Sequence, residues 1–112
     1  DLQKSKTITK LNDNLLKEDG HPQISPNKRY LITDTYANNK KYQKLLLYDF
    51  KKNDVHNLGE FKLDDYLSKE GLKYDLHPRW DNTGSLICID SSHQGSRQTY
   101  ILNIEKLLKK IN

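Results

Sequence analysis

Two histidines, His21 and His77, are each followed by proline and each open a similar stretch, "GHPQISPNKRYLITD" from Gly20 and "LHPRWDNTGSLICID" from Leu76. Imidazole is a common ligand for transition metals and a general base near neutral pH. A pair placed at equivalent points of two repeated units is therefore a candidate half of a binding site, with manganese or zinc as the fitting ions. Proline after each histidine fixes the backbone and leaves no N–H to satisfy at a strand's first position. Further polar groups in the second unit, Arg79, His93 and Arg97, are candidate ligand-binding residues beside His21 and His77. A histidine at a strand entrance can equally hydrogen-bond to neighbouring backbone and serve as a structural pin. The acids Asp34 and Asp90 end equivalent strands, and Arg79 or Arg97 could bond to them across the units. His56 falls on an outer strand. No catalytic triad, paired-cysteine metal motif or phosphate loop is present.

The elements that must carry these residues are strands. Tyr30, Leu31, Ile32 and Asp34 align with Leu86, Ile87, Cys88 and Asp90, and "QKLLLYDF" aligns with "RQTYILNI". Repetition over several tens of residues points to stacked or radial architectures, and the apolar spacing does not fit helical repeats. Each unit predicts a short strand at His-Pro (22–25 and 78–81), a polar turn, a strand apolar on both faces (30–34 and 86–90), and a third strand (45–50 and 99–104). The first unit adds a fourth strand at 56–61. The apolar faces expected to form cores are Tyr30, Ile32, Leu46 and Tyr48 in one unit, and Trp80, Ile87, Ile89, Tyr100 and Leu102 in the other.

The predicted fold class is all-β, with two antiparallel four-stranded propeller blades forming a partial propeller and a short C-terminal helix or tail. One domain covers residues 1–112. It divides into an outer strand at 6–11, a blade at 20–61, a loop or helical insertion at 62–75, an incomplete blade at 76–104 and a tail at 105–112. Two blades cannot close a ring. The expected partners are therefore the remaining blades of a longer propeller, of which this is a C-terminal portion, or further copies in a homo-oligomer.

Composition narrows the function. Of 112 residues, 19 are basic and 15 acidic, for a net charge of +4. The lysines are scattered among acids rather than gathered on one face with aromatics, which argues against a nucleic-acid partner. No apolar run approaches the ~20 residues that span a bilayer, so no membrane span is expected. The first residues, Asp1-Leu2-Gln3-Lys4, show no basic stretch followed by an apolar one, so no signal peptide is visible. The single cysteine, Cys88, lies in an apolar run and reads as a buried small hydrophobe; it leaves the compartment open.

The stretch "HPRWDNTGSLICIDSSHQGSRQTYILNI" resembles the repeat of TolB-like (WD40-like) β-propellers. Pro78, Trp80, Gly84, Ile87, Ser91, Gly95 and Tyr100 stand at the matching positions. The first unit matches through Pro22, Ser25, Pro26 and Asp49, with Lys28 in place of the turn glycine and Ile24 in place of the aromatic. The HP-R-W wording is nearest to oligogalacturonate-lyase-like propellers. That resemblance implies a divalent metal held in the channel by histidines and a glutamine, and β-elimination of an acidic sugar. By position His77 resembles a family histidine, and His21 is its internal counterpart; no glutamine ligand and no catalytic base is assignable. The implied ligand is an oligosaccharide. The function expected is a non-catalytic binding or scaffold module of a bacterial, carbohydrate-related propeller protein, with a fragment of a polysaccharide lyase as the alternative.

Overall fold

A computed structural model describes residues 11, 15–64 and 75–112. Seven strands form two antiparallel sheets whose members pair in sequence order. The first sheet holds β1 (Gln23–Ile24), β2 (Tyr30–Asp34), β3 (Tyr42–Asp49) and β4 (Asp54–Lys62). The second holds β5 (Arg79–Trp80), β6 (Leu86–Ser91) and β7 (Gln98–Asn103), and a helix, α1 (Glu105–Ile111), follows. All seven strands fall where the alternation and turn residues place them. The expected outer strand at 6–11 and the insertion at 62–75 lie largely outside the described residues.

The turns explain the repeat. In the first sheet Pro26-Asn27 begins a reversal in which Lys28 takes a φ of 62°; in the second, Gly84 takes a φ of 75°. Lysine thus adopts the left-handed conformation that the equivalent glycine reaches without steric cost. Ser25 and Asp81 complete these turns in parallel fashion. The Ser25 amide donates to the Tyr30 carbonyl and the Asp81 amide to the Leu86 carbonyl, at 2.8 and 3.0 Å.

The two units share one core instead of building two. Tyr30, Ile32, Leu45 and Leu47 of the first sheet pack with Ile87 and Ile89 of the second, together with Leu76 and Ile104. Trp80, Tyr100, Leu102 and the helix residues Leu107, Leu108 and Ile111 close over it. The expectation for β3 is corrected by one residue. Ile32 pairs with Leu47 and Thr33 with Leu46, so Leu45 and Leu47 enter the core while Leu46 and Tyr48 lie on the opposite face. Each fully buried aliphatic side chain stabilises the fold by about 1.5–3 kcal/mol. At the strand entrances the sheets are also tied by polar contacts. The Trp80 amide donates to Gln23 Oε1 at 2.9 Å, and the Trp80 indole N–H donates to the Gln23 carbonyl at 3.0 Å.

Candidate functional site

The site forms where the two sheets meet at the entrances of β1 and β5. Asp34, at the end of β2, is 1% exposed. Its carboxylate accepts the His21 amide at 2.7 Å through Oδ1 and the His77 amide at 3.1 Å through Oδ2. One carboxylate therefore holds the backbone of both histidines, one from each unit. Asp34 also meets Nδ1 of the His21 ring, at 3.1 and 3.2 Å to its two oxygens. This fixes the imidazole's rotation and leaves its Nε2 edge available.

Local sequence makes this convergence possible. Gly20 lies so close to β2 that a Cβ there would be 1.8 Å from the Asp34 carbonyl oxygen. Any larger residue would push His21 away from the carboxylate. On the other side Leu76 is fully buried in the shared core, and its carbonyl accepts the Asp90 amide at 2.8 Å. His77 then turns sharply, with a φ of 44°. A histidine in the left-handed region is strained, and such strain persists only where surrounding bonds hold it; here the Asp34 bond and the buried Leu76 do so.

The result is a closely associated pair. The His21 and His77 rings have centroids 4.0 Å apart and planes tilted by 41°. The carboxylate they share brings the two entrances together. Tyr36 meets His21 edge-on at 5.5 Å. Asp75, two residues before His77, completes the group: one donor atom from each of His21, Asp75 and His77 lies within 4.8 Å of the others. Sequence reasoning missed Asp75. The signal is the alternation Asp75-Leu76-His77, in which burial of the central leucine leaves its neighbours on a common side.

The other candidates are engaged elsewhere. Arg79 donates to Asp90 at 3.2 and 3.4 Å and to the His77 carbonyl at 3.0 Å. Arg97 reaches the same carboxylate at 3.2 Å, and the Thr99 hydroxyl donates to it at 2.9 Å. The arginines thus pair with Asp90 inside their own sheet, while Asp34 reaches across to the other unit through a backbone amide. Burial pushes the Asp90 carboxyl up, but the hydrogen bonds from Arg79 and Thr99 and the charges of both arginines outweigh it and hold it below the usual range. His93 sits at the β6–β7 turn, with Nδ1 2.7 Å from Ser91 Oγ and its ring against Tyr100 and Phe61. It joins an aromatic cluster instead of the histidine pair. His56 lies on β4, and its Nε2 is buried without a hydrogen-bond partner.

A second buried ion pair also escaped the sequence reading. Arg29 grips Asp49 at 3.0 and 3.3 Å, and Asp49 is fully buried. Burial raises the Asp49 carboxyl, yet Arg29 and the Lys51 and Lys52 amides reverse the shift and lower it. Its counterpart by repeat, Asn103, accepts the Glu105 amide at 3.0 Å at the start of α1. A cavity of about 550 Å³ lies on the far face of the first sheet, lined by Leu15, Leu16, Leu31, Leu46 and Val55, and it reaches Gly20 and Pro22, the residues on either side of His21.

No protein-family model matches the chain, and no curated protein matches it. Two histidines converge, but Gln23, the glutamine nearest them in sequence, is committed to Trp80, and a carboxylate, Asp75, stands beside the imidazoles. Among the described residues no helix is long and apolar enough to cross a membrane.

Proposed function

We propose that this chain is a non-catalytic binding module built from two propeller-type blades, which takes an acidic oligosaccharide at the mouth formed by His21 and His77. The observation that carries the reading is the placement of both imidazoles, from equivalent points of two repeats, at one entrance and under one carboxylate. A built polar mouth flanked by an exposed tyrosine suits a sugar, whose hydroxyls need donors and acceptors and whose C–H faces pack on aromatic ring faces.

The propeller reading draws support from the free face of the second sheet. Leu86, Cys88 and Ile101 there are the repeat counterparts of Tyr30, Ile32 and Leu47, which are buried beneath a neighbouring sheet. Ile101 is 66% exposed, a value that suits a surface made to receive a further blade, from a longer bacterial propeller protein or from another copy. The alternative reading is a fragment of an oligogalacturonate-lyase-like enzyme. Elimination needs a base at the sugar's C5 proton and a cation to stabilise the developing charge; Arg79 and Arg97, the nearest cationic candidates in the second unit, are already engaged by Asp90.

Calorimetric titration with oligogalacturonates, together with absorbance of unsaturated products, tests both. Binding that disappears in a His21→Ala, His77→Ala variant, without absorbance growth, is the expected result. Absence of binding to acidic oligosaccharides contradicts the module reading, and a rising absorbance replaces it with the lyase.

A further inference from the structure

The histidine mouth contains more than a sugar-binding surface requires. Two imidazoles and a carboxylate approach one another from three positions, and a fourth group, Asp34, is buried behind one of them. We propose that His21, Asp75 and His77 form a divalent transition-metal site, with His21 ligating through Nε2 and Asp34 acting as the positioning carboxylate behind it.

Four observations converge on this assignment. The donor atoms already lie within 4.8 Å of one another. Bonds of about 2.0–2.2 Å in tetrahedral geometry place ligand atoms about 3.4 Å apart, so a closing movement of roughly 1–1.5 Å completes the site. Second, His21 is oriented by a carboxylate on Nδ1 at 3.1 Å. This is the arrangement in which a metal-bound histidine is held by its other ring nitrogen, setting tautomer and rotation. Third, the His77 backbone is kept in a left-handed conformation by the same carboxylate, so one group holds the main chain of both ligands and leaves the His77 ring free to turn. Fourth, the freedom to close lies where it is needed: His77 is exposed and Asp75 half-buried, whereas His21 is anchored.

The donor set selects the class of ion. Calcium and magnesium require six or more oxygens, while two imidazoles with one carboxylate suit zinc, cobalt, iron or manganese. Three protein ligands leave positions open for water or a ligand's oxygen. Asp75 as a ligand and Asp34 behind His21 together offset the charge of a divalent ion, so an acidic sugar would be held by its oxygens entering the open coordination positions. The inference builds on the mouth as a ligand site, but it depends on neither the sugar nor the propeller. It also departs from the set implied by the lyase resemblance, since a carboxylate replaces the glutamine.

The test is titration of the whole chain with Co²⁺, followed by its visible d–d absorption, with Zn²⁺ competition measured by calorimetry. One ion per chain is expected, displaced stoichiometrically by zinc. Asp75→Asn and His77→Ala should each weaken binding by at least about tenfold, and Asp34→Asn, which touches no metal, by about 10- to 100-fold. His93→Ala, a histidine in another cluster, should bind as the parent does. Circular dichroism identifies any variant that fails to fold; Asp75→Asn, outside the core, keeps the test decisive if Asp34→Asn does. The proposal is overturned by absent cobalt bands, by unchanged affinity in Asp75→Asn, or by equal losses in His93→Ala and His77→Ala, which would mark adventitious histidine binding. Metal binding lost with sugar binding intact would remove this inference and leave the module reading; the reverse outcome would remove the module reading alone.

Discussion

Asp34 and Asp90 end equivalent strands of two copies of one unit, yet they perform different work. Asp34 is fully enclosed, takes backbone amides from both units and orients a histidine. Asp90 is held by two arginines whose side chains are 40% and 56% exposed, and by a threonine on the adjacent strand. A carboxylate that accepts amides from two segments fixes where those segments meet. A carboxylate neutralised by half-exposed arginines and a threonine of its own sheet stiffens only that sheet. The repeat therefore supplied the same residue twice, and its neighbours decided that one copy would build a junction and the other an ion cluster within its own sheet.

Removing each acid is the sharpest way to test that difference. Asp34→Ala leaves two backbone donors and an oriented imidazole without an acceptor, a loss of about 2–4 kcal/mol. Asp90→Ala releases two partly exposed arginines to water and leaves the Thr99 hydroxyl without its acceptor, and the expected loss is about 1 kcal/mol. Urea unfolding of both variants measures the gap, and equal losses would erase the distinction.

Gly20→Ala attacks the same junction from the other side. Its new methyl meets the Asp34 carbonyl oxygen, so the backbone before His21 must retreat, at a cost of about 1–3 kcal/mol. The equivalent position in the second unit is Leu76, a core residue, which shows how differently the two entrances are built. A Gly20→Ala protein with parental stability would mean that the close approach is dispensable.

The smallest expected effect is in acid. Asp49 and Asp90 both titrate below their ordinary range in the folded chain. A depressed folded value contributes stability above the unfolded value of about 3.9, and that contribution is lost as pH falls through the folded value. Unfolding midpoints should hold steady near neutrality and decline below about pH 4. Asp90→Asn should flatten this decline slightly, and Asp49→Asn more so, because the Arg29 partner is less exposed than Arg79 or Arg97. Parental stability that persists unchanged to about pH 2 would contradict the assignment.

Much of the fold was legible in the residues. The runs at β2 and β6 and the polar turns before them fixed strand order, because period-2 burial and turn chemistry are local properties. The register of β3 was not, since "LLL" offers three consecutive apolar side chains; pairing with Ile32 and the irregularity between Leu45 and Leu46 decide which of them enter the core. Within the site, the two histidines announced themselves by repetition. Asp75 lies one residue outside the matched stretch in a segment of mixed charge, where only its alternation with Leu76 and His77 distinguishes it. The role of Asp34 was similarly hidden, because it bonds to amides distant in sequence, and Arg29 with Asp49 is likewise a pairing made only by folding. Asp90 is an expected partner for Arg79 and Arg97, but that it takes both within one sheet follows only from the pairing of β6 with β5 on one side and β7 on the other.

The central claim is that one carboxylate joins the two units by holding the amides of His21 and His77. Amide hydrogen exchange read residue by residue tests it most directly. Both amides should be protected in the parent, both should lose protection in Asp34→Ala, and both should keep it in Asp90→Ala. A His77 amide that exchanges in the parent at the rate of an open chain would contradict the account.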